Sequence, residues 1–101
     1  MGRKAVDNLV LEKWRSMDAA LVLRTISLHM KQDPSFIPRA DAQTTRWNIN
    51  IAGRDIEMLC NGPKFFDTRA RSGGGGAVDL AMHLFGVDFR GAVKLLRENG
   101  L

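Results

Sequence analysis

The sequence predicts an α+β domain in which helices cover one face of a three-stranded antiparallel meander. Two observations carry this reading. Apolar residues recur at helical spacing towards both ends of the chain, and the pattern switches to period two between residues 46 and 60. At 101 residues, 45% of them hydrophobic, the chain has the size of one compact unit. Residues 1–101 are read as a single domain, with 1–15 as its peripheral N-terminal segment.

Residues 5–15 place Val6, Leu9, Val10 and Lys13 or Trp14 at helical spacing and predict a short amphipathic helix. Ser16 is the expected N-cap of a second helix over "MDAALVLRTISLHM", whose buried stripe is Ala19, Val22, Leu23 and Ile26. "KQDPSFIP" stops it, because two prolines and an Asp-Pro step disfavour further helix. Trp47, Ile49 and Ile51 then alternate with Arg46, Asn48 and Asn50, which reads as a strand. Gly53 supplies a turn, and "RDIEMLC" returns with Ile56, Met58 and Cys60 on its apolar face. A second turn at Asn61-Gly62-Pro63 leads into "KFFDTRA" as the third strand. There Phe66, Thr68 and Ala70 share one face, and Phe65, Asp67, Arg69 and Arg71 the other. Four glycines, 73–76, read as a tight strand-to-helix crossover. A helix over 77–85 buries Ala77, Leu80, Ala81 and Leu84, with Gly86 just past its end. The last helix starts after Asp88 and buries Phe89, Ala92, Val93 and Leu96 before Asn99-Gly100 ends it.

Composition excludes several classes. No apolar run approaches the roughly 20 residues that span a bilayer, and "MGRKAVDNLVLEKW" carries charges where a signal peptide needs its apolar stretch, so a cytoplasmic protein without membrane contact is expected. Val6 stands where an N-myristoylation signal requires Ser or Thr. The single cysteine, Cys60, rules out an internal disulfide. Fifteen Lys and Arg against 11 Asp and Glu give a net charge of +4, a mild bias towards polyanionic partners. The glycine run is followed by Ala77-Val78, without the Lys and Ser or Thr of a P-loop, and a dinucleotide fingerprint does not fit an antiparallel meander. No cofactor is expected. His29 and His83 sit in no catalytic triad, and Asp79 suits the positive end of a helix, so catalysis by this chain is not expected.

The block "FFDTRARSGGGGAVDLAMHLFGVDFRGAVKLL" resembles the second half of the CHC2-type zinc-binding domain of bacterial replicative DNA primases. In that family an aromatic pair and a Cys-x-x-Cys knuckle precede a Gly-Gly turn and two helices. Upstream, "ISLHMKQDPSF" resembles the first knuckle, with His29 on the histidine ligand and Pro34-Ser35-Phe36 on the signature that follows it. The resemblance covers about residues 26–36 and 64–96. Three of its four metal ligands are missing: Ile26, Thr68 and Arg71 stand where cysteines would be. One imidazole cannot hold structural zinc, and a site rebuilt from His29, Cys60 and His83 would need coincidence, so a degenerate, zinc-free form is expected. Twenty-eight residues separate Phe36 from Phe65 where the family has a few, and their apolar hairpin is expected to take over the folding role of the metal.

The resemblance implies a non-catalytic accessory module that binds single-stranded DNA in replication or priming, with a mobile genetic element as the expected setting. Its implied partners are a polymerase, a primase catalytic subunit or a helicase. The candidate nucleic-acid-binding residues are Arg46, Arg54, Lys64, Phe65, Arg69 and Arg71 around the sheet, and Arg90, Lys94 and Arg97 along the last helix. Two alternatives stand beside it. Asp55, Glu57 and Asp67 fall on the face of the arginines, so pairing would make an ordinary solvated surface. A protein-docking module is the other, with Met82, Phe85, Leu95 and Leu101 as its apolar patch and a polymerase, helicase or relaxase as its partner.

Overall fold

A computed structural model describes residues 6–101. Two helices, α1 (Asn8–Ser16) and α2 (Ala19–Ile26), precede five strands: β1 (His29–Gln32), β2 (Thr45–Ile51), β3 (Arg54–Asn61), β4 (Lys64–Asp67) and β5 (Ser72–Gly75). Helices α3 (Ala77–Phe85) and α4 (Phe89–Glu98) close the chain. The strands form one antiparallel sheet in chain order, β1-β2-β3-β4-β5. This five-stranded sheet with four helices corrects the expected three-stranded meander, although the class is α+β.

Both additional strands are nearly invisible to periodicity. In β1 only Met30 is turned to the core, and the helical pattern of α2 runs on through "ISLHM". The helix ends at Ile26 because the Leu28 N–H donates to the Asn50 carbonyl (2.8 Å), which starts the pairing of β1 with β2. β5 is Ser-Gly-Gly-Gly, a composition that strand propensity reads as a turn. It is a strand through its antiparallel pairing with β4, and at two of its positions the neighbours leave no room for side chains. A Cβ on Gly73 would collide with the Phe65 carbonyl oxygen, and one on Gly74 would lie 2.9 Å from Asp79 Oδ2 and 3.2 Å from the Phe65 ring. The start of α2 also shifts: Asp18, not Ser16, is its N-cap, accepting the Leu21 N–H at 3.1 Å.

The helices cover one face of the sheet. Ile49, Ile51, Met58, Cys60 and Phe65 point into that core and meet Trp14, Val22, Leu23, Leu80, Leu84 and Leu96. Phe89, expected in the core, is 42% exposed. The turn Asn61–Lys64 fastens two helices to the sheet. Gly62 O accepts from Ala19 N–H (2.7 Å) at the start of α2, and Pro63 O accepts from Gly76 N–H (3.0 Å) just before α3. These bonds satisfy donors that helix starts leave open. Helix α4 packs on α3 and so belongs to the helical side.

Gly76 has a left-handed φ of 91°, and a Cβ there would stand 3.1 Å from Arg15 Cα at the end of α1. Gly76→Ala is expected to destabilise the domain by about 1–3 kcal/mol, read as a lower urea midpoint at unchanged slope. Burial pushes the Cys60 thiol from 9.0 up to about 12, with the negative charge of Asp18 adding to it. A raised folded value means stability present below 9.0 and lost as pH rises towards 12. Cys60→Ala is expected to flatten that alkaline decline in a denaturation series, whatever it does to stability at neutral pH.

Candidate nucleic-acid interface

The face of the sheet turned away from the helices is built from cross-strand rows. Residues directly opposite one another share a face, so Arg46, Leu59, Phe66 and Gly73 form one row across β2 to β5. On one side of it lie Asn61, Lys64 and Gly75; on the other lie Lys31, Asn48 and Glu57. His29, Asn50 and Asp55 follow. Phe66, 42% exposed, leans over the bare backbone of Gly73, its Cδ1 being 3.0 Å from where a Cβ would stand. Around it opens a groove of about 470 Å³ lined by Thr44, Leu59, Asn61, Lys64, Phe66 and Gly73. Beyond Thr68 a cleft of about 360 Å³ is lined by His29, Asn48, Asp55, Glu57, Thr68 and Arg69, with Ile49 and Ile56.

The expected binding residues separate into groups. Phe65 is buried at 6% exposure, so the stacking ring assigned to it lies in the core, tilted against His83 at 5.8 Å between ring centres. The alternation along "KFFD" was legible, but not which side is covered. The exposed aromatic is Phe66, found through its register with Leu59 and Gly73. Arg46 is held by Asp33 (2.6 and 3.0 Å) and Glu57 (3.5 Å), and lies 5.3 Å over the Phe36 ring. Hydrogen bonds from the Ser35 hydroxyl and from Arg46 bring the Asp33 carboxyl down to about 2, and the bond that Arg46 donates to Asp33 raises the guanidinium above its usual range. Arg54 donates to the Leu84 carbonyl at the end of α3, a structural tie. Lys64, Arg69 and Arg71 make no ion pair among the described residues.

Arg90, Lys94 and Arg97 lie on α4, on the helical side, and do not continue the surface around Phe66. Lys94 stands 4.0 Å from Glu98, and the Arg97 guanidinium lies 6.0 Å over the Trp14 ring. The proposed docking patch is displaced too. Met82, Phe85, Leu95 and Leu101 are half-buried against the core, while Leu9, Leu21, Leu28, Ile37, Phe66 and Phe89 are the exposed large apolar residues.

The loop from Thr68 to Arg71 is a turn rather than the expected end of a strand, so Arg69 and Arg71 do not alternate on a sheet face. Asp67 is buried on the core side, away from Asp55 and Glu57. Its Oδ1 accepts the N–H groups of Arg69 (3.1 Å) and Ala70 (3.0 Å), and Arg71 closes the loop with a left-handed φ of 56°. Thr68 Oγ1 donates to Glu57 Oε1 (2.7 Å). Among the described residues no three His, Cys, Asp or Glu side chains converge on one point; His29 is exposed on β1, Cys60 is buried and His83 faces Asp67. No helix among the described residues is long and apolar enough to cross a membrane.

No family model matches the chain, and no solved structure does. The chain is similar to a "65 kDa protein" of Zymomonas mobilis subsp. mobilis, at 51% identity over 98 residues. That match takes in 97% of this chain and 14% of the Zymomonas protein, so the chain spans a small part of the length of this relative.

Burial pushes the Asp67 carboxyl up, but the Ala70 N–H, the hydrogen bond and charge of His83 and the Arg69 N–H outweigh it and hold it below 3.8. A depressed folded value gives stability that is present above 3.8 and lost as pH falls through the lower folded value. Asp67→Asn is expected to cost about 1–3 kcal/mol at neutral pH and to shrink the fall in urea midpoint on acidification. Parallel pH profiles for the two proteins would contradict that assignment.

Proposed function

We propose that this chain is a non-catalytic accessory module that binds single-stranded DNA on the open face of its sheet. The observation that carries the reading is Phe66, an exposed ring on that face with Lys64 and Arg69, neither ion-paired among the described residues, on either side along the chain. A base has a π-face of any sequence, so one exposed ring can stack on it while cations meet the flanking phosphates. Gly73 adds to the site by its lack of a side chain, which lets the Phe66 ring lie against the strand backbone and holds it in place on the face. The resemblance of the 26–36 and 64–96 segments to primase zinc-binding domains supports the same class of ligand and a role beside a polymerase, primase catalytic subunit or helicase. A setting in a mobile genetic element belongs to the same proposal.

The ion pairs of Arg46 narrow the surface. With Arg46, Arg54 and Phe65 committed to structural contacts, the binding set becomes Lys64, Phe66, Arg69 and Arg71. Fluorescence anisotropy of a labelled oligothymidylate at low salt tests it. Affinity is expected to fall as salt rises, with a logarithmic slope of about −0.7 for each phosphate contacted. Phe66→Ala is expected to weaken binding by about 5- to 150-fold, the equivalent of about 1–3 kcal/mol for one stacked base. Absence of binding at low salt, or affinity indifferent to both Phe66→Ala and the Arg69→Ala/Arg71→Ala pair, sinks the proposal and leaves the apolar groove to a protein partner.

A further inference from the structure

Asp67 is the one charged residue in the buried set among the described residues, at 7% exposure, and each of its oxygens has a partner. Oδ1 receives the N–H groups of Arg69 and Ala70, and its main-chain carbonyl receives that of Arg71 at 2.8 Å. Oδ2 lies 2.8 Å from His83 Nε2 on α3. An ionised carboxylate only accepts, so the ring carries its proton on Nε2 and donates. The tilted contact of His83 with Phe65 fixes the ring from the other side. One buried side chain thus joins a helix of the core to a loop whose exposed residues, Arg69, Ala70 and Arg71, include two arginines. The loop ends on Arg71 in a left-handed conformation, which costs a residue with a Cβ about 1–2 kcal/mol. The bonds to Asp67 compensate for that cost.

We propose that Asp67, oriented by His83, is a positioning residue that holds the Thr68–Arg71 loop in the shape that displays Arg69 and Arg71 to a polyanion. The proposal rests on the nucleic-acid reading above for its ligand and on the loop geometry for its device. Without the carboxylate, two loop N–H groups lose their acceptor and the loop must be ordered during binding, which lowers affinity without removing a contact.

A double-mutant cycle on the full chain separates positioning from general damage, because coupled residues give non-additive losses. Asp67→Ala is expected to weaken oligothymidylate binding about fivefold and to add nothing once Arg69 and Arg71 are already alanine. Asp67→Asn, which keeps an oxygen for the two N–H groups, is expected to restore most of the loss. His83→Phe keeps a ring against Phe65, removes the Nε2 bond, and is expected to shift affinity in the same direction as Asp67→Ala. It serves as the test if Asp67→Ala does not fold. Amide hydrogen exchange without DNA reads the loop itself: Arg69 and Ala70 are expected to exchange faster in Asp67→Ala and in His83→Phe. Unchanged exchange at both amides, or losses of affinity that simply add, overturns the proposal. A wild-type chain that does not bind overturns the function and the display role together; faster exchange in the variants would then show that the loop is held by Asp67 but serves another purpose.

Discussion

The close approach of α1 to Gly76 is the constraint on which the helical layer depends. The last turn of α1 brings Arg15 Cα within 3.1 Å of the place a Cβ would occupy, and this seats Trp14, fully buried, at the centre of the core. A side chain there would push α1 back by a few tenths of an ångström, and the positive φ that turns the chain from β5 into α3 favours glycine. The distance also sets where α3 begins. Leu80, Ala81 and Leu84 then fall beneath α1, α2 and α4 rather than on the surface. Trp14, near the end of the segment read from sequence as peripheral, is one of the largest side chains of the core.

What the sequence made legible follows from where side chains report their surroundings. Strands β2 and β3 announce themselves because Ile49, Ile51, Met58 and Cys60 alternate with polar residues, and α3 because Ala77, Leu80, Ala81 and Leu84 repeat at helical spacing. β5 could not be seen, since glycine carries no pattern and its strand geometry comes from contacts with Phe65 and Asp79, distant in the chain or in the next element. β1 is an edge strand with three exposed residues out of four, so it too lacks alternation. The Phe65-Phe66 pair shows a different limit. Period two says that the rings point opposite ways, but both are equally apolar, and only the helices on the sheet decide which is covered.

The same limit acts on the candidate site. Fifteen cationic residues can be counted from the sequence, but counting does not say which of them have structural duties. Arg46 braces the Asp33 turn against the open face, Arg54 reaches the end of α3, and Arg24 lies 5.5 Å over the Trp47 ring. Each could be replaced by solvent contact in an unfolded chain, so none is marked as special by its neighbours in sequence. Asp67 is the converse case. It reads as one more surface acid in "FFDTRAR", while its burial beside His83 makes it the organiser of the loop that follows.

The turn at Asn61–Lys64 bears on the order of events in folding. Its two carbonyls receive the first N–H of α2, 43 residues upstream, and the N–H of Gly76, 13 downstream. The β3–β4 hairpin is closed by a two-residue loop and is the cheaper structure to form, because short loops lose little entropy on closure. Neither carbonyl is placed to receive a helix until that hairpin exists. Both helical flanks are thus tied to one hairpin in the middle of the chain, so a change that loosens this turn is felt at the starts of α2 and α3 together.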